Sequence, residues 1–118
     1  MGEPGRYDHR RLGAWGEARV ARWYEERGYV VLDRNWRCAE GELDLVLSHG
    51  RTVVFCEVKT RSSARRGRPQ EAVGWDKRRR LRSLALRWLA DRSAHPEHLR
   101  FDVAAVTGGR IDVIEGAF

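Results

Sequence analysis

The sequence predicts a single α/β domain spanning residues 1–118, with one central mixed β-sheet flanked by helices. Three observations predict it. Residues 41–59 are two β-branched, apolar runs around a polar Ser48-His49-Gly50-Arg51 centre, which is a hairpin pattern. Two other stretches repeat apolar residues at helical spacing. A second pair of strand-like runs flanks Gly108-Gly109, a good hairpin turn.

Residues 1–8, with Pro4 and Gly5, read as a flexible tail. Residues 9–27 form the first predicted helix, with Leu12, Gly16, Val20 and Trp23 as its buried stripe. Ala14, Ala18, Ala21 and Tyr24 widen that stripe, and Gly28 is a natural C-terminal stop. A short strand is expected over residues 29–32 and a turn over residues 33–37, in which Trp36 serves as core or edge cover. After the central hairpin, residues 60–74 combine arginines with glycine and proline and read as a mobile loop. Residues 76–91 form the second helix, burying Leu81, Leu84, Ala85, Trp88 and Leu89; Lys77 falls one turn before Leu81 on the same face. Strands over residues 101–107 and 110–114 complete the sheet.

The hairpin carries charges where a core strand should have none. With His49-Gly50 as a two-residue loop, Asp44 opposes Phe55 and Glu42 opposes Glu57. Asp44, Glu57 and Lys59 then share one face, the two acids being diagonal neighbours roughly 7–8 Å apart at their Cα atoms. Any even-length loop keeps that parity, and an odd one without a bulge breaks it. Such charges are costly on an apolar strand unless something pairs with them. Two carboxylates on a rigid hairpin can hold Mg2+ (or Mn2+) while leaving water positions open, the usual arrangement when a phosphate is substrate. The metal polarises the phosphate and acidifies a bound water, and the ammonium of Lys59 orients that water and offsets charge in the transition state. The alternative is a hairpin wearing charges that prevent edge pairing. Glu17, beside the small-residue stripe of the first helix, is either a solvated glutamate or a third acid reaching the same face.

Composition narrows the partners. The net charge is +6 and the pI about 10.1, which favours an anionic partner, nucleic acid before membrane. Residues 61–82 hold nine basic and two acidic side chains; Arg61, Arg65, Arg66, Arg68, Lys77, Arg78, Arg79 and Arg80 form the expected phosphate footprint. Of 23 basic residues only Lys59 and Lys77 are lysines, which suggests chemistry that guanidinium cannot supply. Cys38 and Cys56 lack zinc-site spacing and read as reduced thiols. No apolar run approaches a membrane span and Met1-Gly2-Glu3-Pro4 begins no signal peptide, so a cytoplasmic protein is expected.

Asp44 followed by Glu57-Val58-Lys59 resembles the PD-(D/E)xK nuclease superfamily, though Leu43 stands where its motif has proline. More narrowly, the chain resembles the YraN family of bacterial proteins, itself similar to archaeal Holliday junction resolvases. The match runs through Gly16-Glu17-Ala18, Asn35-Trp36-Arg37, Gly41-Glu42-Leu43-Asp44-Leu45, Phe55-Cys56-Glu57-Val58-Lys59-Thr60-Arg61, Lys77, Phe101-Asp102-Val103 and Ala117-Phe118. The resemblance implies a restriction-endonuclease-like fold, Asp44 and Glu57 as metal ligands, Lys59 as the water-activating cation and Glu17 as an assisting acid. The expected function is metal-dependent endonucleolytic hydrolysis of nucleic acid, DNA ahead of RNA and branched DNA among the candidate substrates, with a homodimer as one assembly open to it. A nucleic-acid-binding module that keeps the nuclease scaffold without turnover is the alternative.

Overall fold

Each strand of the sheet pairs with its neighbour in sequence. The order is β1 (Val30–Cys38), β2 (Gly41–His49), β3 (Thr52–Arg61), β4 (His98–Thr107) and β5 (Arg110–Ile114). The computed structural model describes residues 4–61 and 73–118, residues 4–11 by their backbone alone. Helix α1 (Pro4–Glu25) precedes the sheet and α2 (Trp75–Asp91) lies between β3 and β4. Only the β3–β4 pair is parallel, because a helical crossover separates those strands and short turns join the rest. This is the mixed-sheet α/β architecture expected, compatible with a restriction-endonuclease-like fold. Among the described residues no helix is long and apolar enough to cross a membrane.

The two helices cover opposite faces. Val20, Ala21 and Tyr24 of α1 pack on Leu45, Leu47, Val54 and Cys56, whereas Leu81, Leu84, Ala85 and Trp88 of α2 pack on Leu43, Val46, Phe55 and Phe101. The five buried positions of α2 are those its periodicity predicted. Helix α1 departs from expectation at both ends. It begins at Pro4, not at residue 9, so most of the expected tail is helical; a proline suits a first helical position because its φ is preset and its missing N–H would lack a partner there. It ends at Glu25, and Gly28 closes the following turn with φ +87. Ala14 and Ala18 are exposed, because the contact stripe runs through Gly16, Val20, Ala21 and Tyr24. A Cβ on Gly16 would fall 1.9 Å from Thr60 Oγ1, so this glycine lets the helix touch β3.

Residues 33–37 are not a turn. They continue β1, an edge strand whose polar side chains can face water, with a bulge between Val31 and Asp33 and Asn35 at φ +50. The central loop also moves: it is Gly50-Arg51, since His49 pairs with Thr52 and Leu45 with Cys56. Gly50 adopts φ +59 as first loop residue, the place that a primed turn gives to glycine. The register therefore slips by two residues and the parity survives. Asp102, fully buried on β4, ties the α1 side together: it accepts hydrogen bonds from Tyr24 Oη at 2.6 Å, Arg100 Nε at 2.8 Å and the Gly116 N–H at 3.0 Å.

Candidate active site

The candidate site lies where β2 and β3 part. Their pairing ends at Leu45↔Cys56; beyond it β2 stays with β1 as far as Cys38↔Gly41, while β3 stays with β4 as far as Arg61↔Thr107. Asp44 stands at the fork. Its Oδ2 accepts the Val58 N–H at 2.8 Å, replacing a ladder bond that the diverging strands no longer make. With the register slipped by two, Glu57 is the next residue opposite Asp44 and not its diagonal neighbour.

Helix α2 roofs this fork, leaving a cleft of about 230 Å3 lined by Gly41, Glu42, Asp44, Glu57, Lys77, Arg80, Leu81 and Leu84. Asp44 and Glu57 are each only 9% exposed. Burial, and then the neighbouring charge of Glu57, push the Asp44 carboxyl up to about 7, against the opposing hydrogen bond from Val58. That bond is its only one among the described residues. Two ammoniums converge on Glu57 Oε1: Lys77 Nζ at 2.7 Å and Lys59 Nζ at 3.4 Å. Burial, followed by the hydrogen bond with Lys77, lowers the Lys59 pKa below the ordinary lysine value. Lys77 moves the other way: burial opposes the charge, but bonds to Glu57 and Lys59 outweigh it and raise the pKa.

Asp44, Glu57, Lys59 and Lys77 are thus brought together. Glu17 is only near: half-buried on α1, it hydrogen-bonds Asn35, and its pKa is raised by burial first and then by Glu42 and Glu57. No three histidine, cysteine or acidic side chains among the described residues are grouped to hold a metal, so Glu17 does not complete a ligand triad with Asp44 and Glu57. The all-oxygen pair Asp44 and Glu57 suits a hard cation that keeps much of its water. Cys56 is buried on the other face with its thiol pKa pushed up by burial, which makes it inert.

The expected phosphate footprint divides. Arg80 lines the cleft, and neither Arg79 nor Arg80 makes an ion pair among the described residues. Arg78 is partly committed to structure, donating from Nε to Val73 O at 2.9 Å and lying 5.5 Å over the Phe118 ring. Arg61 ends β3; Arg65, Arg66 and Arg68 lie outside the described residues. Sequence reasoning missed Asp102, although a carboxylate inside the apolar run from Phe101 to Val106 was its signal. A larger depression of about 590 Å3 between α1 and β5, lined by Arg19, Arg22, Trp23, Glu26, Gly109 and Ile111, contains none of these groups.

With this geometry in place, comparison with known proteins assigns the relationship. The model of a family described as uncharacterised protein family UPF0102 matches residues 16–106. The chain belongs to the UPF0102 family. This is the relationship that the YraN-like motifs indicated. A UPF0102 protein of Beutenbergia cavernae is 56% identical over 95 residues, 80% of each chain. The UPF0102 protein of Frankia alni is 49% identical over 112 residues, 91% of this chain and 93% of its own length. That of Frankia casuarinae is 51% identical over 112 residues, 91% and 95% of the two chains. The UPF0102 match spans α1 from Gly16 onward, the whole fork and all of α2, so the cleft lies inside the family domain.

Proposed function

We propose that this UPF0102 protein is a cytoplasmic, metal-dependent endonuclease that hydrolyses phosphodiester bonds in DNA, branched DNA included. The observation that supports this most is the fork between β2 and β3, where two nearly buried carboxylates line a cleft of about 230 Å3 and two ammoniums reach one of them, Glu57. Asp44 and Glu57 would hold Mg2+ or Mn2+: Asp44 has spare acceptor capacity and the donors are all oxygen. Bound there, the ion would polarise the scissile phosphate and acidify a water. The chain's own groups do the rest. Lys59, held on a rigid strand beside Glu57, orients the attacking water and offsets negative charge as it develops on the phosphate. Lys77 and Arg80 line the approach and bind the phosphate itself. Glu17 raises the pKa of Asp44 further through its charge without joining the pair. The preference for DNA rests on the resemblance to resolvases.

The test is a panel of linear, flapped and four-way DNA and RNA incubated with Mg2+ or Mn2+, with Glu57→Ala as control. Metal-dependent cleavage by the native chain and none by the variant is the expected result. Metal and nucleic-acid binding without cleavage would transfer the reading to a binding module on a nuclease scaffold.

A further inference from the structure

Glu57 already has a cation, and it has two. Lys59 Nζ comes from β3 and Lys77 Nζ from the first turn of α2, and both reach Oε1 of the same carboxylate. The closer is Lys77, at 2.7 Å against 3.4 Å. Glu57 is 9% exposed, and a carboxylate that deep is costly without a partner. A divalent ion arriving at Glu57 meets two positive charges at one oxygen. One of them has to yield, and the structure indicates which. The Lys59 side chain is 27% exposed and its backbone is held in the sheet by pairing with Ala105 of β4; Lys77 is 37% exposed, and its flexible stem lines the open cleft beside Arg80.

We propose that Lys77 is an exchangeable counter-ion: it neutralises Glu57 while the site lacks metal and leaves Glu57 for the phosphate-binding side of the cleft when a divalent cation binds. The proposal rests on the reading of this cleft as a metal-dependent nuclease site and adds a regulation to it. Metal binding liberates an ammonium beside Arg80, so metal and phosphate strengthen each other's binding, and by linkage the coupling is reciprocal. The site acquires its full affinity for a nucleic-acid backbone only when it can also cut.

The experiment is calorimetric titration of the full chain with Mg2+ alone, comparing native protein, Lys77→Met and Arg80→Met, with circular dichroism to verify that each variant is folded. Lys77→Met should bind Mg2+ about tenfold more tightly than native, because the competing occupant is gone. Arg80→Met removes the same charge from the same cleft without touching Glu57, and should stay within about twofold of native. In a second arm, the affinity of a short DNA duplex is measured in Ca2+ and in EDTA. The native chain should gain affinity with metal, and Lys77→Met should lose most of that gain. Unchanged Mg2+ affinity in Lys77→Met overturns the exchange and leaves the nuclease reading standing. Equal tightening in both variants overturns it too, since general cleft charge then accounts for the effect. Tightening confined to Lys77→Met, in a protein that cleaves no nucleic acid, upholds the exchange and removes the nuclease reading.

Discussion

Lys59 separates an enzyme from a binding module at the level of one side chain. If its ammonium acts on the attacking water, the interaction is made mainly in the transition state. Lys59→Ala should then lower turnover by about 10²–10⁴-fold while metal and nucleic acid still bind. Lys59→Arg should recover little, because guanidinium is planar, larger and never deprotonated, and cannot share a proton with water. In a chain otherwise drifted to arginine, native-rate cleavage by Lys59→Arg would sink the assignment. Asp44 gives a second test at the same scale. Its folded pKa of about 7 lies above the ordinary carboxylate value, so between about pH 4 and 7 the folded chain keeps a proton that the unfolded chain has lost. That contribution to stability is complete at low pH and declines as pH rises through 7. Asp44→Asn keeps the acceptor for Val58 and abolishes the titration. In EDTA its stability relative to native should therefore grow from pH 5 to pH 8, by on the order of 2 kcal/mol. A difference that is flat across that range in thermal melts would show that Asp44 is already ionised at pH 5.

At the scale of elements, the contact between α1 and β3 depends on Gly16. Alanine there would gain about 1 kcal/mol of helix propensity, but its Cβ would lie 1.9 Å from Thr60 Oγ1 and 3.1 Å from Thr60 Cβ. Rotating Thr60 clears the hydroxyl and not its Cβ, so the helix must shift, and overpacking of this kind costs about 1–3 kcal/mol. Gly16→Ala should lower the melting temperature, and Thr60→Ala in the same chain should restore part of the loss; additive effects of the two changes would contradict the contact. Such close approaches were not legible in the sequence, where Gly16 looked like one more small residue of the stripe. What could be read were periodic patterns. The α2 face from Leu81 to Leu89 came through because burial selects a helical period, and the common face of Asp44, Glu57 and Lys59 because strand alternation survives any even slip. The slip itself was not readable: Ser48-His49-Gly50-Arg51 offers two equivalent loop centres, and Gly50 decides only once its φ is known. The polar stretch 33–37 of β1 looked like a turn because an edge strand needs no apolar alternation. Lys77 could be given a direction from its helical position, but its meeting with Glu57 depends on a crossover that no local pattern encodes.

Over the whole molecule, a net charge of +6 would attract any polyanion, so the question is whether binding is located or diffuse. Arg80 lines the cleft, Arg79 is exposed beside it in sequence on α2, and neither forms an ion pair among the described residues, so both are available to phosphates. Arg51 and Arg110 carry the same charge but are engaged elsewhere, with Glu97 at 3.1 Å and Asp112 at 3.0 Å. Each phosphate neutralised contributes about 0.9 to the slope of log K against log salt on duplex DNA. Replacing Arg79 and Arg80 by alanine should therefore flatten the slope by about 0.9 for each arginine that contacts a phosphate, uniformly across DNA sequences. The Arg51→Ala, Arg110→Ala protein has an identical net charge and should keep the native slope. Fluorescence anisotropy over a salt series distinguishes the two: equal flattening in both double variants would mean that DNA responds to total charge alone, and would remove the α2 arginines from the candidate interface.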